Sequence, residues 1–144
     1  MRNISLKYVD ETYDEQGRLL TYQLKYPDNF NFAYDIVDDI ANAEPNRKAM
    51  VWCNPEGEEH VFTFADMKRY SDKTANMFKA HGVKKGDKVI VVLKRHYQFW
   101  FTILALHKIG AVIIPATFLL TKHDVEYRCN SAEVKFIVAT GQDH

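Results

Sequence analysis

An α/β protein is what this sequence predicts: a partial, doubly wound parallel sheet flanked by helices, with a short antiparallel hairpin. Three observations lead there. The run KVIVVLK (88–94) is rich in β-branched residues and does not alternate, the pattern of a strand buried on both faces. Two further apolar runs, AVIIPA (111–116) and Val134 to Ala139, follow it at distances that leave room for helices. Strands that alternate with helices in this way pair in parallel through right-handed crossovers.

The chain has 144 residues, enough for one domain, and 47% hydrophobic with 26% charged residues is an ordinary globular composition. Nineteen basic and nineteen acidic residues balance to a net charge of zero. There is no positive excess to attract phosphate backbones or anionic lipid, so nucleic acid is not an expected partner. The N-terminus, MRNISLKYVDETYDEQGR, has no apolar core of a secretory signal, and a cytoplasmic location is expected. Cys53 and Cys129 sit in no C-x-x-C and no Cys/His cluster with metal spacing; small buried residues are the expectation, a disulfide the alternative.

Residues 1–30 are polar, with scattered aromatics and a turn at Tyr26-Pro27-Asp28-Asn29, and predict an irregular lead-in. Residues 31–144 carry the α/β unit. From Phe32, the positions Phe32, Ala33, Ile36, Val37, Ile40 and Ala43 share one helical face, and Asp35, Asp38, Asp39 and Asn42 share the other. The three acids are therefore expected in solvent, and Pro45 ends the helix. AMVWCNPEGEEHVFTF (49–64) predicts two strands around the turn Asn54-Pro55-Glu56-Gly57. Thr63, with Asp66 three residues on, resembles a capping box. The helix that follows should bury Phe64, Met67, Tyr70, Thr74, Met77, Phe78 and His81 and end on Gly82.

FWFTILALHKIGAVIIPATFLL (99–120) is long enough to raise the question of a membrane span. Its aliphatic and aromatic residues favour insertion by about 4 to 7 kcal/mol, and Lys108 near the midpoint opposes it by about 2.5 to 3.5 kcal/mol. The decision comes from sidedness. Gln98, Thr102, Ala105 and Lys108 form one stripe, opposite Phe99, Trp100, Ile103, Leu104, Leu106 and His107. Gly110 falls where a helix C-cap belongs, so the stretch predicts an amphipathic helix, a turn and a core strand, with Lys108 outside and His107 inside. A last helix begins at Thr121, with Asp124 as a second cap-like pair.

The familiar chemical signatures are missing. RHYQFW follows the central strand in place of a glycine-rich dinucleotide loop, GVKKGDK lacks the ending of a Walker loop, and neither G-x-S-x-G nor H-E-x-x-H occurs. His107 is read as a buried neutral imidazole, with catalysis as the alternative. Arg95 and His96 lie at a strand's carboxyl end, where ligands gather in open α/β sheets, yet the preferred reading is that the same cluster simply starts the next helix.

YPDNFNFAYDIVDDIANAEPNRKAMVW, FTFADMKRYSDKTANMFKAHGVKKGDKVIVVL and FWFTILALHKIGAVIIPAT together resemble the amino-terminal part of adenylate-forming acyl-CoA synthetases of the short- and medium-chain branch. FTFADMKRYSDKTAN is similar to the family's first core segment, and LALHKIGAVIIPATFLLT to its second. The resemblance covers residues 26 to 140. It implies a ligase that uses ATP and Mg²⁺ to convert a carboxylic acid to an acyl-adenylate and then transfers the acyl group to coenzyme A. It also implies that residues 31–144 are an amino-terminal subdomain, since the family's Ser/Thr/Gly-rich phosphate loop and its adenylating lysine are not among these residues. Catalytic and metal-binding residues are accordingly expected elsewhere in a longer parent enzyme, and no tightly bound cofactor is expected on this chain. One loop is implied to touch a ligand. Thr117, Phe118 and Leu119, after the second core segment, match the loop that approaches the adenine end of coenzyme A, or else simply cover the sheet edge. An incomplete sheet should expose apolar surface and self-associate. The alternative to the synthetase reading is a stand-alone α/β binding or interaction module without catalysis.

Overall fold

The structure is a computed structural model that describes residues 4–141. The chain divides into two compact units, residues 1–31 and 32–144. In the first, a short helix α1 (Ser5–Tyr8) leads into strands β1 (Val9–Tyr13) and β2 (Leu19–Leu24), which pair antiparallel with Val9 opposite Leu24. This corrects the expectation of an irregular lead-in. The turn is built by Asp14, whose Oδ1 accepts the N–H groups of Gln16 at 2.9 Å and Arg18 at 2.8 Å, and by Gly17 at φ 76°. Every residue of β2 is exposed, so its alternation encloses no core and leaves only a weak mark on the sequence.

The second unit opens on a helix that is π-helical over Ala33–Asp38 and continues as α2 (Asp39–Ala43). Strands β3 (Lys48–Cys53) and β4 (Glu59–Thr63) form the expected hairpin, with Val51 opposite Val61 and Trp52 opposite His60. Thr63 and Asp66 complete a capping box that starts α3 (Phe64–Ala80), and Gly82 follows its end at φ 88°. Strand β5 (Lys88–Val92) is central in the three-stranded parallel sheet β6-β5-β7. Its Val89, Ile90 and Val91 are fully buried, as an apolar run without alternation requires. Helix α4 (Gln98–Ile109) ends on Gly110 at φ 78°, β6 (Val112–Pro115) follows, and α5 (Lys122–Ser131) leads to β7 (Phe136–Ala139). No helix among the described residues is long and apolar enough to cross a membrane.

Helix α4 explains its own apolar character by belonging to two clusters. Ala105 and Leu106 pack with Val89 and Val91 of β5 and with Ala75 and Phe78 of α3. Phe101 and Leu104 pack with Phe62, Met67, Ala33 and Val37. Covered on several sides, the helix has little room for an outward stripe. Thr102, Ala105 and Lys108, expected in solvent, are buried, whereas Trp100, expected in the core, is half exposed. Helix α3 likewise buries the small Ser71 and Ala75 and exposes Met77. Cys53 is exposed and Cys129 half-buried, both as free thiols, so neither is the fully buried residue that its apolar neighbours had indicated.

Candidate functional site

Because β5, β6 and β7 run parallel, their carboxyl ends share one edge, the edge where open α/β sheets receive ligands. Two loops meet there. The first leaves β5 through Leu93, which is buried, and Lys94, which takes a positive φ of 41°. The N–H of His96 returns to the Leu93 carbonyl at 2.9 Å, and the indole N–H of Trp52 donates to the Arg95 carbonyl at 2.6 Å. Tyr97 packs its ring within 5.3 Å of both Trp52 and His60 and 5.0 Å of Phe62. The β3–β4 hairpin thus pins this loop, a long-range tie that sequence reading did not reveal.

The second loop leaves β6, where the Ala116 N–H still bonds the Val91 carbonyl at 3.0 Å. Thr117 turns inward on its own loop, its Oγ1 accepting the Leu119 N–H at 3.2 Å. Phe118 and Leu119 are 55% and 74% exposed, two of several large apolar side chains on the surface. Lys94 bridges the loops: its Nζ lies 5.1 Å from the centroid of the Phe118 ring, within cation–π range. Lys94, Arg95 and His96 are exposed and join no salt bridge among the described residues.

A second polar constellation lies in the interior. Lys108, its side chain 1% exposed, places Nζ 2.9 Å from Asp38 Oδ1 and 2.7 Å from Asp72 Oδ1, and 5.4 Å from the Tyr34 ring. Lys68 reaches the other oxygens of both acids, at 3.4 Å from Asp38 and 3.8 Å from Asp72. Asp38 was expected on the solvated stripe. The π-helical turn, with its longer i→i+5 repeat, carries residue 38 further round toward the side of the buried Ala33 than an α-helix would, and Asp38 is itself buried. This cluster ties the first helix, α3 and α4 together, and a lysine inside an apolar run was its sole sequence signal. His107 is half-buried, its ring edge-on to Phe32 at 6.1 Å, and burial holds its imidazole below the ordinary value. Among the described residues, no group of three or more His, Cys, Asp or Glu is arranged to hold a metal ion.

The fold is that of the amino-terminal subdomain of adenylate-forming enzymes. The N-terminal subdomain of Klebsiella oxytoca NpsA superposes with a TM-score of 0.67 at 22% identity, covering 76% of this chain and 28% of that one. The fatty acid AMP ligase from Legionella pneumophila does so with a TM-score of 0.68 at 17% identity, covering 76% of this chain and 19% of its own. The sequence comparison reaches further than fold. The AMP-binding enzyme family matches residues 37–144, and the chain belongs to that family. It is 38% identical over 120 residues to the mitochondrial acyl-coenzyme A synthetase ACSM5 of Rattus norvegicus, covering 79% of this chain and 21% of the relative. The mitochondrial acyl-coenzyme A synthetase ACSM3 of Homo sapiens is 34% identical over 123 residues, covering 81% of this chain and again 21% of the relative. The chain therefore spans about a fifth of the length of these relatives.

Proposed function

We propose that this chain is the amino-terminal portion of an AMP-forming acyl-CoA synthetase. The parent would use ATP and Mg²⁺ to activate a short- or medium-chain carboxylic acid as its adenylate and pass the acyl group to coenzyme A. The observation that carries this reading is the family match over residues 37–144, together with 38% identity across 79% of the chain to a named acyl-CoA synthetase. In this reading the described residues hold and orient. The sheet and the pinned β5–α4 loop support the carboxyl edge, and Thr117, Phe118 and Leu119 meet the adenine end of coenzyme A. The chain by itself is inactive, because the phosphate loop and adenylating lysine implied by the resemblance are not among its residues.

The test is thioester formation from ATP, coenzyme A and a series of carboxylic acids, followed by mass spectrometry. Products are expected only when the chain is part of the longer polypeptide. Thioester formed by the 144-residue chain alone would overturn the division of labour. The named relatives are mitochondrial proteins, which favours that compartment over the cytoplasm expected from the sequence, and cell fractionation decides between them. Self-association of the isolated chain is part of the same reading. A hollow of about 320 Å³ lined by Met77, Phe78, Val89, Phe136 and Val138 lies open beside β7, and light scattering should show particles larger than one chain.

A further inference from the structure

The sheet of the first unit, residues 1–31, has two strands, so among the described residues β1 and β2 each keep an unpaired edge. The register sets Val9, Glu11 and Tyr13 opposite Leu24, Tyr22 and Leu19, and alternation gathers these six on one face. Glu11 is its charged member, and the Tyr13 hydroxyl donates to that carboxylate at 2.6 Å. Leu19, Tyr22 and Leu24 are each more than half exposed. Asp10, Thr12, Thr21 and Gln23 make up the polar face. A lone two-stranded hairpin is marginal in water, and stability comes with three or more strands that share an apolar face. The two edges differ in what they can accept. Strand β1 carries Asp10 and Glu11, whereas β2, LLTYQL, has neither the charge nor the proline that keeps an edge strand from pairing. The register shift falls near the turn, between Thr12 and Tyr13, and leaves Thr21 to Leu24 regular. The bases that flank β2 are already neutralised, with Arg18 Nε 2.6 Å from Asp14 Oδ2 and Lys25 paired with Asp10.

We propose that the free edge of β2 pairs antiparallel with β2 of a second copy of this chain, about a twofold axis at Tyr22, to make a four-stranded sheet in the order β1-β2-β2-β1. A twofold axis perpendicular to the sheet keeps the same face up in both copies, so Tyr22 lies opposite its own counterpart and Leu24 opposite Leu20. The apolar face becomes continuous across both hairpins, and Thr21 meets Gln23 on the polar one. The charge pattern selects this edge and this occupant. Pairing through β1 would bring the acids of one copy beside those of the other, which destabilises a sheet, while uncharged β2 meets itself without that cost. The contact uses no residue of the hollow beside β7, and it does not depend on the acyl-CoA synthetase reading.

The experiment uses the full chain with both free thiols removed, Cys53→Ser and Cys129→Ser, and one new cysteine, oxidised mildly and read on a denaturing, non-reducing gel. Directly opposed positions of an antiparallel pair lie within reach of a disulfide. Tyr22→Cys should therefore give a covalent dimer. Gln23→Cys and Asp10→Cys, which do not face their own counterparts, should give none, and a mixture of Gln23→Cys with Thr21→Cys should link. No dimer from Tyr22→Cys, or one from Gln23→Cys formed as readily, overturns the pairing. Sedimentation velocity gives a second reading without new thiols. Tyr22→Lys sets two ammonium groups against each other at the axis and should weaken association about tenfold, whereas Ile137→Lys, at the hollow beside β7, should leave the dimer in place. Association that vanishes in Ile137→Lys and persists in Tyr22→Lys belongs to the hollow and overturns the proposal. A native-like amide spectrum for each variant shows that the fold is kept.

Discussion

Lys108 Nζ and Asp38 Oδ1 lie 2.9 Å apart although 70 residues separate them in the chain. The pair joins the first helix of the α/β unit to α4 where water is almost absent, with the lysine side chain 1% exposed and the aspartate 7%. Removing one member leaves the other's charge buried, which is costlier than never having had the pair. Lys108→Met is therefore expected to destabilise the fold by about 3 kcal/mol in urea titrations. Lys68 at 3.4 Å from Asp38 softens but does not cancel the loss. The double variant Lys108→Met with Asp38→Asn should recover part of it, and strict additivity of the two single changes would show that they do not act as a pair.

Gly110 is needed for its backbone. At φ 78° it ends α4, and a Cβ built there would stand 3.1 Å from Cγ of Lys85. Gly110→Ala should cost about 1 to 2 kcal/mol. Gly82, at φ 88° with no atom near its missing Cβ, should show a similar loss, since the Lys85 side chain can yield. A much larger effect at Gly110 in thermal melts would mean that the contact with Lys85, and not the dihedral, dominates.

The two capping boxes provide matched probes in different settings. Thr63→Ala removes the acceptor for the Asp66 N–H, and because α3 packs into both clusters, a global loss of about 1 kcal/mol is expected. Helix α5 has the same box from Thr121 and Asp124 but buries no residue. Thr121→Ala should thus raise amide exchange within α5 and leave the global melting point unmoved. Hydrogen bonds from Thr63 and Thr121 hold the carboxyls of Asp66 and Asp124 below the usual carboxylate range. Native α3 and α5 therefore release these protons more readily than the unfolded chain. Their stabilisation is complete above the ordinary carboxylate value and is lost as the pH falls through the lowered one.

His107 has the opposite kind of group and a different window. Burial lowers its imidazole, so on acidification the unfolded chain takes up this proton before the native one does. Its contribution should be constant at alkaline pH, decline as the pH falls below the ordinary histidine value, and level off beneath the lowered value. His107→Gln should flatten that part of the stability curve. An NMR titration that finds the His107 ring at or above the ordinary value would refute the burial argument.

What the sequence by itself determined was local. Thr63 with Asp66, Thr121 with Asp124, Gly82 and Gly110 mark helix ends because caps and left-handed turns are made by residues a few positions apart. KVIVVLK declared itself a central strand because burial on both faces leaves no alternation, and the two core segments carried the family. Only the tertiary structure decided which side of α4 is covered. A wheel drawn for one helix assumes one core and one solvent face, whereas α4 meets two clusters, so Lys108 went inside and Trp100 outside. The inward turn of Asp38 depends on a π-helical widening, the anchoring of the Lys94 loop on Trp52 from a distant hairpin, and the approach of Lys94 to Phe118 on two strands in parallel register. The two loop contacts and the Lys108–Asp38 pair join residues far apart in the chain, where no periodicity or short motif records them, and the widening itself departs from the 3.6-residue period that a helical wheel assumes.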